Sequence, residues 1–215
     1  MAPEGVTALG EEAFAGCPHL EEVELPDSLV SIGEGAFRGC THLRSAILPS
    51  NVSTIGERAF MRCGSLADVG LPASLEAIGR DCFRECLSLR SAEIPRGIQI
   101  LETALFKGCK KLEHVALPEK LETLEDEVFK GCESLTGCNL PECVGRIGRD
   151  AFNGCSSLQD MIVPKNVTSL EGGVFGSCAQ LLSVSIPTTL SCVDPDACRN
   201  SPRKLIARSD LLGDA

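Results

Sequence analysis

The sequence predicts an α/β repeat solenoid: a right-handed array of about eight 23-residue coils with a parallel concave β-sheet, a second short extended edge and short helical or 3-10 turns. Three observations carry that prediction. The pattern Phe-x-x-Cys-x-x-Leu, first met at Phe14, Cys17 and Leu20, returns every 23 residues and takes in all 8 phenylalanines, ending at Phe175, Cys178 and Leu181. A strand-like run such as Leu20-x-x-Val23-x-Leu25 follows each time, and proline closes it at Pro26, Pro49, Pro72, Pro95, Pro118, Pro141, Pro164 and Pro187. Two more apolar positions, such as Leu29 and Ile32, then recur in every period. A strict period of this size means stacked units, because one unit cannot bury its apolar side alone.

Within a coil, the alternation Val23, Glu24, Leu25 reads as a half-buried strand. Proline holds its predecessor extended and offers no N–H to a ladder, so Pro26 ends the strand and turns the chain. Leu29 and Ile32 mark the second extended edge. The segment Glu34–Cys40 is too short for a stable helix but suits one helical or 3-10 turn. Acidic residues open it (Glu11, Glu34, Glu57, Asp126) and glycine stands near its end (Gly16, Gly39, Gly108, Gly131, Gly154), as a helix N-terminus and a left-handed cap would require. Phe and Cys three residues apart share a face, which must point inward.

The solenoid is expected over residues 1–193, beginning in mid-repeat, since Pro3 matches Pro26 and Val6 matches Leu29. Residues 194–215 read as a degenerate last repeat and C-terminal cap. There Cys198 replaces Phe, Ser201 replaces Cys and Lys204 replaces Leu, and Leu205, Ile206, Leu211 and Leu212 are left to fold over the open end. A start in mid-repeat implies either a fragment or an uncapped edge around Val6 and Leu9 that invites homo-association.

A net charge of -10 and a pI near 4.8 argue against nucleic acid as partner, whose phosphates reward clustered Lys and Arg. A protein or peptide of neutral or basic character fits better. No apolar run approaches the ~20 residues of a membrane span, which argues against direct membrane insertion. Of 13 cysteines, 8 form the ladder, where they read as small buried apolar residues; Cys82, Cys138, Cys143, Cys192 and Cys198 stand outside it. Disulfides between ladder neighbours are the rival reading, opposed by parallel Cβ directions, and a short bridge between Cys192 and Cys198 is another. Free thiols lean towards a reducing, cytoplasmic compartment.

The outward strand positions vary from coil to coil while the inward ones stay nearly constant, the pattern of a recognition surface on a rigid scaffold and equally of drift at solvated sites. They give the candidate binding residues Glu22, Glu24, Arg44, Ile47, Asp68, Arg90, Glu93, Glu113, His114, Asn139, Asp160 and Ile162. No catalytic constellation, cofactor motif or metal site is expected. Three histidines stand near no nucleophile with an orienting carboxylate; the acidic patch Glu21, Glu22, Glu24 and Asp27 reads as a solvated face; His19 and His42 lack a third ligand. Asn51-Val52-Ser53 and Asn166-Val167-Thr168 are glycosylation sequons at one repeat position.

The unit as a whole, with Leu-Pro after the strand, then Ile-Gly, then Ala-Phe-x-Gly-Cys, resembles the BspA-like (Treponema-type) class of leucine-rich repeat over roughly residues 3–193. The resemblance implies a surface molecule of adhesion type that binds host or matrix proteins. Two departures stand out. No asparagine ladder is present, and the Ile-Gly glycine is replaced at Glu102, Glu125 and Glu171, from which the turn is expected not to demand glycine. The alternative readings are a structural spacer or self-assembling unit, and an intracellular regulatory array of a larger protein.

Overall fold

Every coil is a triangle of chain with three edges, and the computed structural model describes residues 5–202 of them. One edge carries three-residue strands at Ser45–Ile47, Asp68–Gly70, Ser91–Glu93, His114–Ala116, Asp160–Ile162 and Ser183–Ser185. The second carries two-residue strands at Ala8–Leu9, Ser31–Ile32, Thr54–Ile55, Ala77–Ile78, Ile100–Leu101, Thr123–Leu124, Arg146–Ile147, Ser169–Leu170 and Cys192–Val193. The third is the Phe–Cys turn. All pairings are parallel and join equivalent positions of successive coils, as in Ala46 with Val69 and Ile32 with Ile55. The result is a parallel β-solenoid of about eight coils.

The core is a set of columns along the axis. Leu29, Ile32, Phe37, Cys40 and Leu43 of one coil are at most 2% exposed, and their equivalents from Val52 to Leu181 are at most 4% exposed. Successive phenylalanine rings stack with centroids between 5.1 and 5.8 Å apart, from Phe14 to Phe175. Phe14, at the end of the stack, is only half-buried.

The expected helical or 3-10 turn does not form; the described residues contain no helix. In a helix every N–H in the segment would turn back to its own coil. Here they alternate. Ala36, Arg38 and Cys40 donate to Gly33, Gly35 and Phe37 three residues back, while Gly35, Phe37 and Gly39 donate to Glu57, Ala59 and Met61 of the next coil. The alternation needs two left-handed residues per coil. One is the glycine-rich position of Gly39 (φ 75), filled elsewhere by Arg62, Glu85, Ser177 and Asn200; the other is that of Gly35 (φ 60), filled by Glu12, Arg58, Asp81, Ala104, Glu127 and Asp150. A left-handed non-glycine residue costs ~1–2 kcal/mol, offset here by the inter-coil hydrogen bonds it permits.

The cysteine ladder is more than apolar filling. Each buried thiol donates to the carbonyl of the phenylalanine one coil earlier: Cys40 to Phe14 at 3.1 Å, Cys63 to Phe37 at 3.1 Å, Cys109 to Phe83 at 3.0 Å, and so on to Cys178 and Phe152 at 3.2 Å. At the last rung Ser201 takes the thiol's place, its hydroxyl donating to Phe175 O and accepting from Cys178 N at 2.9 Å. That substitution therefore preserves the ladder. All 13 cysteines are free thiols, Cys192 and Cys198 included. Pro3, Lys204 and the tail leucines and isoleucine expected to cap the end lie outside the described residues.

The strand edges are less continuous than expected. Residues 23–25 and 138–140 form no strand, the latter interrupted by Gly137 and Asn139, which are poor strand formers. The two-residue ladder divides into three sheets, with breaks after Ala77–Ile78 and after Arg146–Ile147. Both breaks fall where a carboxyl residue follows a glycine, Glu102 after Gly79 and Glu171 after Gly148. A Cβ on Gly56 or Gly79 would lie 2.6 or 2.5 Å from a backbone nitrogen of the preceding coil, so at those two pairings the coils sit too close to admit one. Where Glu125 follows Glu102, and Asp194 follows Glu171, the pairing resumes. The turn therefore accepts a carboxyl residue with the ladder kept, at Glu125 and Asp194, as well as with the ladder broken, at Glu102 and Glu171, in line with the expectation that it does not demand glycine.

Candidate functional site

The three-residue strands define one face, and the structure puts all twelve candidate residues on the surface beside it. Inward side chains such as Ala46, Val69, Ala92 and Met161 are at most 6% exposed, so the alternation of the strand forces their neighbours outward. Ile47, Asp68, Glu93, His114, Asp160 and Ile162 lie within strands, and Arg44, Arg90 and Glu113 immediately precede them. Glu22, Glu24 and Asn139 occupy equivalent positions on the two coils that form no strand here.

Two columns run along this face at the coil spacing. One holds Ser45, Asp68, then Ser91, His114, then Asp160, Ser183; the other holds Ile47, Gly70, then Glu93, Ala116, then Ile162, Ser185. Ile47 is 74% exposed and Ile162 70%, the two most exposed large apolar side chains among the described residues. Gly70 leaves the flank of Ile47 uncovered.

The charges do not cancel. Both arginines are engaged laterally, Arg44 with Glu21 at 3.1 Å and Arg90 with Glu113 at 3.7 Å. Asp160 accepts from the Ser183 hydroxyl. Glu22, Glu24, Asp68 and Glu93 take part in no ion pair among the described residues, which leaves the face net acidic with two apolar points.

Sequence reasoning missed a shallow groove of about 670 Å³ beside the strands, where Glu93 and Ala116 meet Arg96, Pro118, Glu119 and Lys120. The signal available was Ala116, a small residue beside Glu93 in the same column. A second, polar hollow of about 410 Å³ lies on the turn edge of the last coils, lined by Arg149, Asp150, Asn153, Ser177, Asp196 and Arg199. His19 and His42 stack at 6.2 Å, with His42 Nδ1 against the Pro18 carbonyl. No group of three or more His, Cys, Asp or Glu suited to a metal forms among the described residues. Asn51 and Asn166 are exposed, and each amide donates to a carbonyl of the preceding coil, Asp27 at 2.8 Å and Glu142 at 2.9 Å. No helix among the described residues is long and apolar enough to cross a membrane.

A sequence model of the BspA type leucine rich repeat region matches residues 1–113 and 76–203. Among solved structures, a leucine rich cell surface protein from Faecalibacterium prausnitzii is 28% identical with a TM-score of 0.71, covering 87% of this chain and 60% of that one. The leucine rich repeat protein of T. pallidum is 38% identical with a TM-score of 0.69, over 73% of this chain and 74% of that one. A leucine-rich repeat protein from Bacteroides ovatus is 31% identical with a TM-score of 0.72, over 92% of this chain and 57% of that one. The chain thus spans about three fifths of the length of the first and third of these proteins. No curated protein matches it.

Proposed function

This chain belongs to the BspA-type leucine-rich repeat family, and we propose that it is a non-enzymatic scaffold that binds a protein or peptide on its three-residue-strand face. The observation that carries the reading is the pairing of two largely exposed isoleucines, Ile47 and Ile162, in one column with unpaired carboxylates at Glu24 and Glu93. Apolar side chains held that far into water on ordered strands are the anchors an interface uses, and the net acidic surround favours a basic partner segment. Arg44, Arg90, Glu113 and His114 would border the contact and tune its specificity.

Similarity to a leucine rich cell surface protein supports a place at the cell surface. The ladder thiols do not oppose it, although Cys17, Cys143 and Cys192 are exposed. Those of the ladder from Cys40 to Cys178 are buried, so the fold itself keeps oxidants from them. Self-association through the N-terminal edge around Val6 and Leu9 is the weaker reading, because the exposed carboxyl residues Glu11 and Glu12 stand beside that edge and would meet their own kind on a second copy.

The test is a proteome-scale capture with the purified array beside a variant carrying Glu24→Lys, Ile47→Ser, Glu93→Lys and Ile162→Ser. A partner held by the array and lost by the variant is expected. Partners held equally by both would overturn the assignment to this face.

A further inference from the structure

We propose that the junction between residues 88 and 89 is a hinge, hydrogen-bonded along the turn edge and, among the described residues, along neither strand edge. From the coil of residues 66–88 to that of 89–111, the backbone hydrogen bonds between equivalent edges are Asp81 N to Thr103 O, Phe83 N to Leu105 O and Glu85 N to Lys107 O, all on the turn edge. Among the described residues no strand pairing crosses. Ala77–Ile78 pairs back to Thr54–Ile55, Ile100–Leu101 pairs forward to Thr123–Leu124, and Asp68–Gly70 and Ser91–Glu93 each pair away from the other. No ion pair crosses among those residues either. The one side-chain bond that does is the Cys109 thiol to Phe83 O at 3.0 Å, which also lies at the turn edge.

Neighbouring junctions differ. One coil earlier, Arg80 pairs with Glu57 and Arg62 with Glu85, both at 2.9 Å, Ser74 donates to Val52 O at 2.7 Å, and both strand edges are paired. Where the two-residue ladder breaks again, Arg146 still reaches Glu171 at 3.4 Å and Asn166 reaches Glu142 O at 2.9 Å.

Two residues account for the gap. Glu102 puts a side chain beside Gly79, at the first place where the run of glycines at this position ends, and Gly97, whose backbone lies close against Leu75 O, lacks the side-chain bond by which Ser28, Asn51 and Ser74 tie their coils to the one before. The core across the junction stays packed, with Leu66, Leu75, Leu89 and Ile98 at most 2% exposed. Motion is therefore angular, about an axis near the Phe83–Phe106 stack, whose rings are 5.6 Å apart. It would swing the panel bearing Ile47 and Asp68 against the panel bearing Glu93 and His114. That consequence for recognition rests on the binding reading above; the hinge itself does not.

Residue-resolved amide hydrogen exchange of the whole chain, without ligand, tests it. Gln99 and Glu102 should exchange on the order of 10-fold or more faster than Glu122 and Glu125, their bonded equivalents one coil on, while Asp81, Phe83 and Glu85 stay protected. Glu102→Gly, which restores the residue that most other coils carry there, should slow exchange at Gln99 and at position 102. Equal protection at the two pairs of positions, or turn-edge amides that open together with the strand edges, would overturn the hinge. Unchanged exchange in the glycine variant would overturn its assignment to Glu102. No outcome depends on a partner, so failure here leaves the binding reading standing.

Discussion

The thiol of Cys63 donates to the carbonyl oxygen of Phe37, one coil earlier and 3.1 Å away. The same oxygen already accepts from Cys40 N at 3.1 Å, so the thiol supplies its second partner and stitches consecutive coils through the core. Ser201 meeting Phe175 in the same way indicates that the donor, and not only the volume, is what the position needs. Cys63→Ala should lower stability by about 1–3 kcal/mol in urea unfolding, and Cys63→Ser by less, because a hydroxyl keeps the bond. A serine variant less stable than the alanine variant would return the ladder to simple apolar packing.

Burial raises the thiols, taking Cys63, Cys109, Cys138 and Cys178 to about 12, with the neighbouring Cys40 adding to the effect at Cys63. The folded state thus holds a proton that the unfolded chain releases near pH ~8.5–9. The contribution is complete below that value and is lost as pH rises towards 12, at up to ~1.4 kcal/mol per pH unit for each thiol. Alkaline unfolding should begin above pH ~9, and in native protein at pH 8 iodoacetamide should label Cys17, Cys143 and Cys192, which are exposed, with the ladder from Cys40 to Cys178 reacting only in denaturant. Intact-protein mass after native labelling reads this directly; rapid native modification of Cys63 or Cys109 would contradict it.

The period, the inward columns and the two extended edges were legible because burial imposes one residue class per column, and Phe, Cys, Leu and Pro announce it. The turn was not. Of its left-handed positions, glycine marked one, as expected at Gly16, Gly39, Gly108, Gly131 and Gly154, but the other is filled by Arg58, Asp81, Glu127 and Asp150, and no residue type marks it. What stabilises them is a bond to a residue of the next coil, which a local reading cannot weigh. The ladder breaks left a trace at Glu102 and Glu171, but only the closeness of the preceding glycine reveals what a side chain does there. The outward face was located by alternation alone, whereas the lateral engagement of Arg44 and Arg90, and so the surplus of negative charge, needed coordinates.

Lys130 bridges Glu127 at 2.6 Å and Asp150 at 2.9 Å on the turn edge, and Lys107 reaches Glu127 at 2.6 Å. Burial raises both carboxyls, but hydrogen bonds from Lys107 and Lys130 to Glu127, and from Lys130 and Asn153 to Asp150, outweigh it and hold them below the ordinary carboxylate range. A depressed carboxyl contributes stability above its unfolded value near ~4 and loses it as pH falls through the folded value. Lys130→Ala should cost about 0–1 kcal/mol at pH 7, since the groups are partly solvated, and should flatten the loss of stability as pH falls below ~4. Urea titrations across that range would show wild type and variant running parallel if the bridge were inert.

Removing an exposed anchor should separate function from folding. Ile47 is 74% exposed and no core column includes it, so Ile47→Ser should change the unfolding midpoint by an amount within ~0.5 kcal/mol. A larger loss would mean that Ile47 packs within the fold, and its value as a binding anchor would fall with it.

Phe106 and Phe14 make opposite ends of one argument about how the array holds together. Phe106 is fully buried and stacks on both sides, at 5.6 Å on Phe83 and 5.8 Å on Phe129, whereas Phe14 is half-buried and stacks only on Phe37 among the described residues. Phe106→Ala therefore opens a cavity that neither neighbouring coil can close without breaking its own turn-edge hydrogen bonds, Phe83 N to Leu105 O and Phe106 N to Val128 O. A loss of about 3–5 kcal/mol is expected there, and clearly less for Phe14→Ala. In a quasi-one-dimensional array the interior variant also weakens the coupling between its two sides, so its unfolding should broaden or split while that of Phe14→Ala stays a single step. Equal losses at the two sites, with both transitions remaining single and sharp, would mean that the coils fold as one globular unit and that nearest-neighbour stacking does not govern stability.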